Sequence, residues 1–151
     1  MTKKNSNERQ QKFSGTKPVQ NHLKFDSNKL ADWLSKTLNK NVNIEEVAEF
    51  KGGQSNPTYK VKTSEETFVL RRKPPGKLLP SAHAVDREFR VIDALYRSDF
   101  PVPRSVAYCG DNSVLGTEFY LMDFIDGKIF WNIALPDLTP KIRGKIFDSK
   151  I

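Results

Sequence analysis

The sequence predicts an α+β fold: an antiparallel five-stranded sheet with helices packed on it. Three observations lead there. Between residues 47 and 71, short runs of strand-forming residues are joined by tight turns. Segments with helical apolar spacing stand on either side of those runs. Two further strand-like runs follow the second helix, and no internal repeat suggests another architecture.

Order is expected from Phe25. Asp26 and Ser27 offer N-caps, and Leu30, Trp33, Leu34, Thr37 and Leu38 recur at helical spacing until Asn39-Lys40-Asn41. Val47–Lys51 reads as a strand, Gly52-Gly53 as a loop, and Thr58–Thr63 as the antiparallel partner. Ser64-Glu65-Glu66 turns the chain into Phe68–Arg71, and Pro74-Pro75-Gly76 breaks the pattern. A second helix is expected over Ser81–Arg97, capped by Ser81, with Val85, Phe89, Ile92, Leu95 and Tyr96 as its apolar stripe. Val106–Cys109 and Thr117–Phe124 are the last strands, separated by a turn at Asp111-Asn112. Thr139-Pro140 is an N-cap and first-turn pair that opens a final helix.

The net charge of +7 is unevenly placed. Residues 1–24 contain Lys3, Lys4, Arg9, Lys12, Lys17 and Lys24 against the single acid Glu8. This Lys-, Asn-, Gln- and Ser-rich stretch has few core-forming residues and reads as a disordered basic tail, a solvated segment rather than a nucleic-acid arm. No apolar run approaches the roughly 20 residues that span a bilayer. The start of the chain has no hydrophobic segment of the secretory kind, so a cytoplasmic location is expected. One cysteine, Cys109, excludes an internal disulfide, and two histidines without paired cysteines argue against a structural zinc site.

Chemistry is suggested first by Phe50–Lys60, where Gly52-Gly53-Gln54-Ser55-Asn56 joins two strands. Glycines let backbone amides approach an anion closely. No Gly-Lys-Ser/Thr follows, and no helix opens directly after the glycines, so neither the P-loop nor the dinucleotide fingerprint applies. A glycine-rich hairpin lying over nucleotide phosphates is the kinase arrangement; a plain hairpin turn is the alternative. That arrangement also needs a cation on the third strand and a helix glutamate to hold it. Arg71 and Glu88 stand at those places, though a surface arginine and a solvated glutamate would look the same. Arg72 and Lys73 compete, but alternation puts Arg71 on one face with Val69 and Arg72 on the other with Leu70. Phe119–Gly127, an apolar strand ending at Asp-Gly, is either core and turn or an adenine-reading hinge. In the second case the Asp123 carbonyl and Ile125 amide make the contacts and Met122 lines the pocket.

These residues together resemble the amino-terminal lobe of the aminoglycoside phosphotransferase and choline kinase-like superfamily, which is protein-kinase-like. In particular they are similar to the phosphotransferase domain of the fused acyl-CoA dehydrogenase family members ten and eleven. The resemblance is carried by residues 24–27 (Lys-Phe-Asp-Ser), 52–58 (Gly-Gly-Gln-Ser-Asn-Pro-Thr) and 69–80 (Val-Leu-Arg-Arg-Lys-Pro-Pro-Gly-Lys-Leu-Leu-Pro). It continues through 82–91 (Ala-His-Ala-Val-Asp-Arg-Glu-Phe-Arg-Val), 101–103 (Pro-Val-Pro) and 116–122 (Gly-Thr-Glu-Phe-Tyr-Leu-Met). It implies a lobe with hinge over 25–127 and the start of a carboxy-terminal lobe over 128–151. It also implies that Gly52, Gly53, Ser55 and Asn56 lie over the phosphates and that Arg71 fills the slot of the kinase lysine, with Glu88 as its partner. Met122, Asp123 and Ile125 would meet the base. His83 reads as a surface residue at the start of the helix.

The family's acceptor base, a His-Gly-Asp aspartate, and its metal-binding aspartate belong to the carboxy-terminal lobe. No His-Gly-Asp occurs in these residues, and Asp148 lacks the context of a metal ligand. The resemblance therefore implies the nucleotide-binding lobe of an ATP- or GTP-dependent small-molecule phosphotransferase with a hydroxyl acceptor, such as a hydroxyacyl compound or hydroxy acid. Mg²⁺ would be held by residues of the other lobe, a fused acyl-CoA dehydrogenase is a possible partner, and this stretch alone is expected to be inactive. The alternative is a non-catalytic nucleotide- or partner-binding module, favoured by Phe130, Trp131, Ile133, Leu135, Ile142, Ile146 and Phe147 if they are exposed.

Overall fold

The computed structural model describes residues 12–52, 55–79, 82–130 and 132–149. The described residues divide into one compact unit within Gly15–Asp126 and a second made of those from Gly127 onward together with residues 12–14. The first unit holds a six-stranded sheet: β1 (Thr16–Lys17), β2 (Ile44–Phe50), β3 (Thr58–Thr63), β4 (Thr67–Arg72), β5 (Ser105–Cys109) and β6 (Phe119–Asp123). The order is β1-β2-β3-β4-β6-β5 and every neighbouring pair is antiparallel. Its helices are α1 (Ser27–Leu38), α2 (Val85–Arg97) and the short α3 (Asn112–Leu115).

All five expected strands are present, and β1 adds a sixth. Order thus begins ahead of Phe25, inside the segment whose composition predicts a disordered tail; residues 1–11 of that segment lie outside the described residues. The reason is local. Thr16 and Lys17 pair with Phe50 and Glu49 of β2, and Leu23 is buried. Glu49, 7% exposed, receives the Gln20 backbone N–H at 3.2 Å, the Gln20 side-chain amide at 2.9 Å and Lys17 Nζ at 3.1 Å. A buried carboxylate has to be satisfied, and the polar segment supplies its donors.

The core lies on the sheet face covered by α1. Asp26 caps this helix by accepting from Asn28 N at 2.9 Å, and Asn39 ends it in the left-handed region at φ 51°. Leu30 and Leu34 are fully buried against Tyr59, Val61, Phe68, Leu70, Phe119 and Leu121. Trp33 adds an edge-to-face contact with Phe119 at 4.9 Å between centroids. Each buried leucine contributes about 1.5–3 kcal/mol relative to exposure.

Three expectations change. Helix α2 begins at Val85 with Ala84 as an N-cap that makes no side-chain hydrogen bond, while Ser81 lies outside the described residues. Its stripe holds at Val85 and Phe89, but Tyr96 is 44% exposed. Asp111-Asn112 does not merely turn the chain: Asp111 accepts from Ser113 N at 2.8 Å and caps α3, which Gly116 closes at φ 85°.

In the second unit α4 (Pro140–Asp148) opens with Thr139 as N-cap and Pro140 in its first turn. Ile133 (86%), Ile142 (46%), Phe147 (48%) and Phe130 (37%) are exposed, whereas Leu135 is buried, contrary to the exposed set drawn from sequence. Trp131 lies outside the described residues. Among the described residues no helix is long and apolar enough to cross a membrane.

Candidate functional site

Strand alternation sends Thr58, Lys60, Val69, Arg71, Tyr120 and Met122 to the sheet face opposite the α1 core. The register lines them up. Thr58 opposes Arg71, which opposes Tyr120, one row across three strands. Ala48, Lys60, Val69 and Met122 form a second row beside it. One end of this face opens into a cleft of about 940 Å³ lined by Ser55, Asn56, Arg71, His83, Arg87, Glu88, Tyr120 and Met122, among others.

Glu88 of α2 organises the polar end. Its Oε2 accepts from Arg71 Nε at 2.6 Å and from the Tyr120 hydroxyl at 3.2 Å. Its Oε1 accepts from Asn56 Nδ2 at 2.8 Å and, at the long distance of 3.5 Å, from Arg71 Nη2. Both carboxylate oxygens are thereby committed. Burial first, and then the Glu88 charge, push the Tyr120 hydroxyl well above the usual tyrosine pKa, against the opposing pull of Arg71. Tyr120 therefore stays a neutral donor.

Arg71 is held by its Nε edge. Its two Nη groups make only long contacts, 3.4 Å to Thr58 Oγ1 and 3.5 Å to Glu88. A guanidinium fixed on one edge can offer the other to an anion, and its planar fork suits a phosphate. The neighbouring cations are used elsewhere. Arg72 is 3% exposed on the core face, beside the Phe25 and Tyr59 rings, and Lys73 pairs with Glu118 at 2.8 Å.

The structure gathers Ser55, Asn56, Arg71, Glu88 and Met122 around one cleft. Asn56 is not a free cover over an anion: it is 2% exposed, and its two side-chain ends are taken by Glu88 and His83. Gly52 is half-buried where the loop begins and does not line the cleft, and Gly53 lies outside the described residues. Asp123 and Ile125 are also absent from the lining. The Asp123 side chain is a bidentate partner of Arg104 at 2.9 and 3.0 Å, its amide donates to the Arg104 carbonyl, and the Ile125 side chain is 62% exposed.

Sequence reasoning missed Thr58, Tyr120 and the role of His83. The first two could have been found from register, because both oppose Arg71 directly. His83 carried no such signal. Its contact with Asn56 at 2.8 Å depends on a left-handed backbone, φ 58°, that turns the chain into α2.

The arrangement offers an apolar wall at Met122 and, at Arg71, a guanidinium edge that suits an anion. It does not suit a metal by itself, since the described residues contain no group of three or more His, Cys, Asp or Glu placed to hold one.

Residues 46–149 match the family model described as the phosphotransferase enzyme family. Over 132 residues the chain is 44% identical to acyl-CoA dehydrogenase family member 11 of Homo sapiens, covering 85% of this chain and 17% of that protein. Over 135 residues it is 41% identical to acyl-CoA dehydrogenase family member 10 of Mus musculus, covering 89% of this chain and 13% of that one. The fold matches a crystal structure from Ralstonia eutropha JMP134, provisionally assigned as an aminoglycoside phosphotransferase, with a TM-score of 0.66 and 38% identity over 83% of this chain and 35% of that one. The chain thus spans about a sixth of the length of the curated relatives it matches and about a third of the solved structure.

Proposed function

We infer that this chain, which belongs to the phosphotransferase enzyme family, is the nucleotide-holding lobe of a kinase-like small-molecule phosphotransferase. The observation that carries the reading is the Arg71–Glu88 pair at 2.6 Å, joined by Asn56 and Tyr120 at the mouth of one cleft. In this reading Arg71 binds nucleotide phosphate through its Nη edge while Glu88 fixes its direction. Met122 supports the base, and the Asp123 carbonyl and Ile125 amide read its edge. Gly52, Gly53 and Ser55 close over the phosphates. ATP or GTP is the nucleotide, and a cytoplasmic setting would supply it.

Phosphoryl transfer needs more than this. Stabilising the transferring group takes a divalent cation and its carboxylate ligands, and the acceptor needs a base. Residues 1–151 contain no His-Gly-Asp, and the described residues offer no cluster for Mg²⁺. We therefore assign both to a carboxy-terminal lobe that begins near residue 128, and expect the 151-residue chain to bind nucleotide without transferring phosphate. Likeness to acyl-CoA dehydrogenase family members favours a hydroxyacyl or hydroxy-acid acceptor and a fused dehydrogenase as partner. The exposed Phe130, Ile133, Ile142 and Phe147 favour, as a second reading, a module that binds a partner without chemistry.

Titration of the purified chain with a fluorescent ATP analogue, with ATP and GTP as competitors, tests the reading. Arg71→Ala is expected to weaken binding about 10- to 100-fold, the range for a charge-assisted hydrogen bond. Equal binding by wild type and Arg71→Ala would overturn it.

A further inference from the structure

We propose that His83 is a nucleotide-positioning residue of this cleft: it holds Asn56 and, through it, Glu88 and Arg71, and it presents Nε2 as an acceptor to a hydroxyl or amino group of the nucleotide. The proposal rests on the nucleotide-binding reading above and deepens it.

The order of donors and acceptors is forced. The Glu88 carboxylate can only accept, so Asn56 must turn its Nδ2 toward Oε1, at 2.8 Å. The Asn56 Oδ1 then faces His83 Nδ1, also at 2.8 Å. A carbonyl oxygen can only accept, so Nδ1 must carry the proton. The tautomer of His83 is therefore set by the carboxylate two hydrogen bonds away, and in the neutral ring Nε2 is left unprotonated. Among the described residues Nε2 has no hydrogen-bond partner, and His83 lines the same cleft as Arg71.

The geometry also adds a second tie between two segments, beside the Asn56–Glu88 hydrogen bond. Asn56 follows the glycine loop directly, whereas His83 leads into α2. His83 adopts φ 58°, a left-handed conformation that a residue with a Cβ rarely takes, and its carbonyl accepts from Val85 N at 2.8 Å. The strain is compensated by a fully committed Asn56. Loop and helix are thereby latched at the cleft that Arg71 lines, and the latch leaves one imidazole nitrogen as an acceptor for a donor group of the ligand.

The test uses the 151-residue chain and two substitutions. His83→Ala removes both the latch and the ring nitrogen; His83→Asn restores a donor to Asn56 Oδ1 but not Nε2. Binding of the fluorescent ATP analogue should weaken about tenfold in His83→Ala and recover in part in His83→Asn. In wild type, ¹⁵N spectra should show the Nδ1–H tautomer at His83, with the Nε2 resonance shifting on addition of ATP while that of His22 does not. Should His83→Ala fail to fold, His83→Asn and the wild-type spectra still decide. Unchanged affinity in a folded His83 variant, an Nε2–H tautomer, or an Nε2 resonance indifferent to ATP would each overturn the proposal. If wild type and Arg71→Ala bind alike, the nucleotide reading falls instead, so the two failures are distinguishable.

Discussion

Arg71 and Tyr120 oppose each other across β4 and β6, and both end on the same oxygen, Oε2 of Glu88, at 2.6 and 3.2 Å. A single carboxylate on α2 thus fastens two adjacent strands, with Asn56 fastening the loop through the other oxygen at 2.8 Å. Because the arginine, tyrosine and amide donors converge on one acceptor, the position of α2 and the direction of the Arg71 fork are one mechanical quantity.

The two ends of that network should respond differently to deletion. Tyr120→Phe removes one hydroxyl donor and leaves Glu88 with Arg71 and Asn56, so denaturant unfolding should show a loss of about 0.5–1.5 kcal/mol. Glu88→Ala strips Arg71 and the buried Asn56 of their partner and should cost more, about 1–3 kcal/mol for Asn56 alone. A larger loss from Tyr120→Phe than from Glu88→Ala would show that Glu88 is not the hub.

The segment before Phe25 gives a second test. Burial pushes the Glu49 carboxyl up, but the Gln20 backbone and side-chain amides and Lys17 outweigh it and hold the pKa below the usual carboxylate value. A depressed folded-state pKa contributes stability that is present above the unfolded value and is lost as pH falls through the folded one. Gln20→Ala should destabilise the protein at neutral pH by about 1 kcal/mol and flatten the acid limb of its stability profile. Denaturation midpoints at pH 7 and pH 3 measure both, and a parallel offset at the two pH values would contradict the assignment.

How much of this could be read from sequence follows from which interactions are local. Strand β3, the Asp26 cap and the Arg71/Arg72 choice were legible because turn chemistry, capping and alternation act over a few residues. The likeness to a kinase lobe was legible because its motifs run in order along the chain. Strand β1 was not, since its reason is a carboxylate at Glu49, about thirty residues downstream, and composition alone cannot see that partner. The side-chain partners of Asn56 are not legible, because nothing near it in sequence reveals that Glu88 and His83 claim both ends of its side chain. Leu135 and Tyr96 show the same limit, because periodicity names an apolar face without saying what covers it.

At alkaline pH the buried Tyr59 should govern part of the stability. Its hydroxyl donates to the Leu23 carbonyl at 3.1 Å, and burial, partly opposed by Arg72, pushes its pKa to about 12. Below pH ~10 both folded and unfolded chains keep the proton. Between about 10 and 12 the unfolded chain ionises while the folded one does not, so stability falls, by on the order of 2 kcal/mol in total from this group. Tyr108 and Tyr120 are raised as well and add to the loss, so the comparison must be between wild type and Tyr59→Phe. The substitution should lower stability at pH 8, where the hydrogen bond is lost, and reduce the further drop between pH 10 and 12. An unchanged drop would place the alkaline sensitivity elsewhere.

The adjacent arginines should respond in opposite ways to the same substitution. Arg72 points into the core, 3% exposed, with Nε lacking a hydrogen-bond partner among the described residues and Nη1 3.4 Å from the Leu115 carbonyl. Phe25 and Tyr59 lie 5.5 and 6.0 Å from its guanidinium, and burial lowers its pKa. A buried cation without a carboxylate partner recovers little of its desolvation cost, and apolar replacements of similar volume at such sites are often neutral or stabilising by about 1–4 kcal/mol. Arg72→Met should therefore leave the midpoint of thermal unfolding unchanged or raise it, and leave nucleotide affinity intact. Arg71→Met, one residue earlier on the other face, should lose nucleotide affinity while changing stability by roughly what the exchange of a half-exposed ion pair allows, about 1 kcal/mol or less. Measuring both variants by melting and by nucleotide titration separates the faces. A destabilised Arg72→Met would mean that its contacts with the two rings and Leu115 outweigh the cost of burying the charge.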